Sequence, residues 1–151
     1  MMSSALISFG HFMAFFAMTA ALVVQMVLLS EMISIERARR IHRASIIYIL
    51  SAILILIFGL LRVYYFEKGA DYYFGNHFFI IKLLVFLLIA GLHTIPAWRF
   101  FFWNKAISHG KAPELSERQV RTLRLIIHAE LTGIGVIVLC AALMAHGIGG
   151  G

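Results

Sequence analysis

A histidine, an arginine and a lysine stand inside stretches that are otherwise almost wholly apolar: His11, Arg62 and Lys82. The stretch around the lysine, Phe78 to Pro96, reads FFIIKLLVFLLIAGLHTIP. It is long enough to cross a bilayer as one helix, which takes about 20 apolar residues. A lysine at the centre of such a helix costs roughly 2.5–3.5 kcal/mol on insertion, and less near an end, so something must offset it. A set of nitrogen bases and cations with no carboxylate beside it does not suit a divalent metal, which recruits carboxylates or several histidines together. It suits an anionic ligand. Heme b meets that description: its iron takes a histidine, its propionates take Arg or Lys, and its macrocycle takes an apolar slot between helices. His11 is then an axial ligand and Lys82 a propionate partner. Arg62 holds a propionate, and Phe15, Met18 and Gly59 line the slot.

Each of these residues, taken singly, has a plainer use. A membrane histidine packs and hydrogen-bonds, a lysine near a helix end snorkels to the headgroups, and an arginine beside Tyr64, Tyr65 and Phe66 anchors an interface. Only their coincidence at one end of the molecule favours a site. Two further histidines, His93 and His128, lie towards the other end and form a candidate second site. Glu130 is a membrane carboxylate. It stands about 200° round the helix from His128 and so shares no face with it.

The elements that must position these residues follow from composition. The 151 residues are 62% hydrophobic and 13% charged, about half the charge of a soluble domain. That implies an integral membrane protein and argues against a soluble enzyme. The net charge of +6 sits mainly in loops, which in a membrane protein reports orientation and not nucleic-acid binding. The lone Cys140 leaves no internal disulfide and no Cys metal motif. No P-loop or nucleophile elbow is present.

Four helices are expected, at about residues 3–30, 44–66, 78–102 and 116–145, forming one domain. The fold class is all-α integral membrane, an antiparallel up-down bundle of four transmembrane helices. On the first helix Ser4, Ser8, His11, Phe15, Met18, Leu22 and Gln25 make one stripe that faces protein. On the second, Ser45, Tyr48, Ala52, Ile55, Gly59 and Arg62 do the same. The connection Glu31–Arg43 is expected as an interfacial segment, the loop Glu67–His77 as a cover over the bundle mouth, and the tail from His146 as a fraying end. The first and third loops carry nearly all the Lys and Arg. The positive-inside rule therefore places them in the cytoplasm, with both termini outside. His11 then lies roughly 12 Å below the outer surface, and Arg62 and Lys82 each roughly 6 Å below it.

The layout resembles a bacterial family of small four-helix membrane proteins of unknown function. The likeness rests on His11, on Gly59-Leu-Leu-Arg62-Val-Tyr-Tyr-Phe-Glu-Lys-Gly-Ala, on Phe79-Ile-Ile-Lys82-Leu and on the closing Ala142-Leu-Met-Ala-His-Gly-Ile-Gly. More distantly the chain is similar to the HemJ-type protoporphyrinogen oxidases. It shares with them the early histidine, the run Lys82-Leu-Leu-Val-Phe-Leu-Leu-Ile-Ala-Gly-Leu-His93 and Arg39-Arg40-Ile-His. That resemblance implies b-type heme on His11 and Lys82. It departs in lacking the first-helix Trp and Pro-Arg pair and the Asn-Glu-Pro motif of helix four.

The expected function is a heme b protein of the bacterial cytoplasmic (inner) membrane, transferring electrons or oxidising a lipophilic reductant. Its partners would be the bilayer and a quinone, a porphyrinogen or a redox protein, and it would stand as a homo-oligomer or as a subunit of a larger membrane complex. Three other readings stay open. One is a two-heme carrier like cytochrome b561, with the second site at His93 and His128. Another is a non-enzymatic accessory subunit that binds a partner helix or an anionic lipid. The third is a proton or solute transporter using Glu130.

Overall fold

The computed structural model describes residues 2–66 and 69–149. Its main elements are α1 (Met2–Leu28), α2 (Ile35–Leu61, running on as a π-helical turn Arg62–Phe66), α3 (Ala70–Phe74), α4 (His77–Leu92), α5 (Thr94–Ser108) and α6 (Glu117–Ala145). Among the described residues four spans are long and apolar enough to cross a membrane: α1, α2 with its π turn, α4 with α5, and α6. The protein is therefore an all-α bundle of membrane helices. α1 packs against α2 and α6, α4 against α6, and α5 against α2. Apolar side chains such as Phe9, Phe16, Leu54, Leu88 and Leu139 are left exposed on the outside, as a bilayer solvent allows.

Local chemistry sets the helix ends. Ser34 caps α2 by accepting the N–H of Arg37, and Glu36 lies in the first turn, where a negative charge offsets the helix dipole. α2 thus begins at Ile35 and not near Ala44. Its charged first turns are the start of a long helix, because Ala38 and Ile41 on their inner side are buried in the main core together with Phe100, Trp103 and Ile107 of α5. Ser116 and Gln119 form a reciprocal capping box that starts α6.

The third span is longer than the expected 78–102 and is made of two pieces. The helix is interrupted at His93 and resumes at Thr94. Pro96 has no N–H to return to the carbonyl of Leu92, and the Thr94 hydroxyl caps Gly91 O instead, at 2.7 Å.

The expected fraying of the tail is not seen over residues 146–149. His77 N–H donates to Gly149 O at 3.3 Å, and the Asn76 amide donates to Ile148 O at 3.3 Å. Asn76 is fully buried and caps α4 through the N–H groups of Phe78 and Phe79. In the second loop Tyr73 is buried against Phe79, with ring centroids 5.2 Å apart. Glu67 and Lys68 of that loop lie outside the described residues.

Candidate functional site

The apolar core is not continuous. A large cluster fills the arginine-rich half and reaches outward to Ala14, Ile55, Phe86 and Ile134. A small second cluster, Val63, Tyr73 and Phe79 with Leu83 and Met144 packed on it, closes the opposite end. Between them the core is broken. On α1 the break lies above Ala14, where His11 stands. On α2 it lies between Ile55 and Val63, which brackets Gly59 and Arg62. On α6 it lies between Ile137 and Met144, around the buried Cys140. On α4 the two clusters meet without a gap, Leu83 packing on the one and Val85 on the other, and Lys82 lies at the level of the small cluster, between Phe79 and Leu83.

The geometry in that layer is specific. The His11 ring packs on the bare backbone of Gly59: a Cβ added there would lie 3.4 Å from His11 Cε1 and 3.8 Å from Nδ1. The Arg62 guanidinium lies over the ring of Phe12, 5.7 Å from its centroid. It opens the π-helical turn, a distortion frequent at functional sites. The Lys82 ammonium lies over Phe79 at 5.2 Å. Both cations thus lie on aromatic faces. His11 and Lys82 stand on spans that do not pack along each other.

The other half of the bundle holds a polar site that the residue pattern alone does not assemble. His93 is 1% exposed and Glu130 fully buried. His93 Nδ1 lies 3.2 Å from Glu130 Oε2, and Nε2 lies 3.2 Å from the Ser45 hydroxyl. The imidazole is stacked on Tyr48, with centroids 3.6 Å apart and planes at 21°. The Tyr48 hydroxyl reaches Ile89 O at 3.4 Å. Three spans therefore meet at one ring. Glu130 Oε1 and the side-chain amide of the fully buried Gln25 have no hydrogen-bond partner among the described residues.

His128 is not brought to His93. It is exposed, and its Nδ1 turns back to Arg124 O at 2.9 Å. α6 buries Val120, Leu123, Ile127, Glu130 and Ile134 on one face, and His128 falls off that face. His42 is half-buried at the arginine-rich end, near Phe101 with centroids 6.1 Å apart. Among the described residues no group of three or more His, Cys, Asp or Glu could hold a metal ion. A groove of about 350 Å³ runs between α1 and α2, lined by Ala17, Ala20, Ala21 and Ala44 with Arg40 and Arg43 at its end.

A family model described as "Predicted membrane protein (DUF2214)" matches residues 3–149. No curated protein and no solved structure matches the chain. Nothing in these findings shows similarity to HemJ-type oxidases.

Proposed function

The chain belongs to that family of predicted membrane proteins, and from this premise we propose that it is a b-type heme protein of the membrane. The observation that carries the reading is the break between the two apolar clusters on α1 and α2, into which His11, Gly59 and Arg62 fall, with Lys82 at the level of the small cluster beyond it. A continuous apolar core would be cheaper in a bilayer than one that gathers an imidazole and two cations.

The donor set fits the group. His11 offers an imidazole for iron. Gly59, without a side chain, lets the His11 ring lie close against α2, and Phe12 and Phe79 lie beneath the two cations. The cation–π seats of Arg62 and Lys82 favour propionate contacts. Lys82, seated on Phe79 and on a span that does not pack along that of His11, is in this reading the propionate partner and not the second axial ligand. A bound heme supplies one-electron chemistry; the chain's part is to hold it and to set its charge environment.

The natural role is electron transfer with a lipophilic reductant, a quinol or a porphyrinogen, that approaches within the bilayer. Arg37, Arg39, Arg40 and Arg43 at the start of α2, with Arg118, Arg121 and Arg124 at the start of α6, favour the cytoplasmic side for that end by the positive-inside rule. The heme layer then faces the outer side of a bacterial cytoplasmic membrane.

The test is an absorption spectrum of detergent-purified, heme-supplemented protein, oxidised and then dithionite-reduced. A Soret band that shifts on reduction, and is lost in His11→Ala, is expected. Pure, folded protein that stays colourless ends the reading.

A further inference from the structure

The pair His93–Glu130 lies in the other half of the bundle from His11 and Lys82, so its chemistry is independent of heme. We propose that this pair is a proton-binding site inside the membrane, filled from the arginine-rich end past His42 and Ser45.

Three features of the geometry lead there. First, the imidazole has a different oxygen on each nitrogen: the Ser45 hydroxyl at Nε2 and the Glu130 carboxyl at Nδ1, each at 3.2 Å. Second, stacking on Tyr48 keeps the ring in one plane, so a proton passes by a change of tautomer without rotation of the ring. Third, Glu130 Oε1 makes no hydrogen bond among the described residues, so the carboxyl is not saturated as a purely structural acceptor would be. On α2, His42 stands three residues before Ser45 and shares its side of the helix. It is half-buried, which places a titratable group one turn outside the sealed pair.

Atoms and charge balance in the transfer. In the empty form Glu130 is a carboxylate that accepts the Nδ1–H of a neutral His93, and Nε2 accepts the Ser45 O–H. An incoming proton forms an N–H bond at Nε2, and the Ser45 hydroxyl turns to accept it. The Nδ1–H bond breaks as the Oε2–H bond forms. The result is a neutral imidazole carrying its proton on Nε2 and a neutral carboxylic acid. The site goes from one negative charge to none. An apolar interior holds a neutral group at less cost than a charged one, and the loaded form is the neutral one.

Few other groups face the ring. From α2 they are Tyr48 and Ser45, and from α6 Glu130. α1 buries only one polar side chain, the uncharged Gln25. Arg124 of α6 is exposed and held on Leu29 O at 2.8 Å.

Infrared spectroscopy of the purified full chain reads this directly. At neutral pH the wild type is expected to show the C=O stretch of a protonated carboxylic acid. The band is absent in Glu130→Gln and shifts in D2O as the acid proton exchanges. Exchange is expected to slow by an order of magnitude in Ser45→Ala and in His42→Gln, with the amide I band unchanged in both. A wild-type band that never exchanges, a band that survives in Glu130→Gln, or exchange in Ser45→Ala as fast as in wild type would overturn the proposal. Should Glu130→Gln fail to fold, the wild-type comparison of H2O with D2O still decides.

Discussion

The Nδ1 atom of His93 stands 3.2 Å from Oε2 of Glu130, and neither side chain meets solvent. This contact joins the third span to the fourth at the interruption in the third. Removing either member strands the other. Glu130→Ala should destabilise the fold by about 1–3 kcal/mol, the cost of leaving a buried polar group without its partner. Glu130→Gln keeps a hydrogen-bonding amide beside the imidazole and should cost about 1 kcal/mol. Unfolding curves in mixed detergent, with His93→Ala and the double variant completing a cycle, check both figures. Equal losses in Ala and Gln variants would show that the hydrogen bond is not what stabilises the contact.

The crossing of α4 and α6 depends on a glycine. A Cβ built on Gly133 would lie 2.5 Å from Ile89 Cγ2 and 3.4 Å from Val85 Cγ1. Gly133→Val should therefore overpack the interface and cost about 1–3 kcal/mol. Trimming the facing side chain with Ile89→Ala should recover part of the loss. The same unfolding assay measures it, and a harmless Gly133→Val would mean that the two helices lie further apart than this contact requires.

Lys82 distinguishes two ways of holding heme. As a propionate partner it should leave the Soret position unchanged when replaced, while heme dissociates faster. Lys82→Gln is therefore expected to keep the wild-type spectrum with weaker retention, and Arg62→Gln to behave alike. Transfer of heme to an excess of apomyoglobin gives the rates. A shifted Soret band in Lys82→Gln alone would instead make the lysine an iron ligand.

Orientation is checked by labelling single cysteines in a Cys140→Ala background. In intact cells Asp71→Cys, in the exposed second loop, should react with a membrane-impermeant maleimide, whereas Lys111→Cys should react only after permeabilisation. The reverse pattern would turn the bundle over and place the break in the core at the cytoplasmic side.

Much of the architecture is readable from hydropathy, because a bilayer demands long apolar helices and tolerates few alternatives. The stripe on the first helix is also legible: Met18, Leu22 and Gln25 are all buried. The start of α2 is masked by its arginines, since a dense run of charge resembles a loop even where Ala38 and Ile41 between the charges are buried. The His93–Glu130 contact has a signal in the sequence as well. On α6 the residues 120, 123, 127, 130 and 134 recur at steps of three and four, and the fourth of these is a carboxylate. Pairing histidine with histidine selects His128 instead, which faces outward. That His93 is the point of interruption depends on Pro96 three residues on, whose missing N–H acts back along the helix.

The interruption at His93 divides the allegiance of the third span. Its upper piece, α4, rides on α6, and its lower piece, α5, rides on α2. One chain segment therefore serves both neighbours, and a change of side chain at this joint is felt by α2 through Ser45 and Tyr48 and by α6 through Glu130.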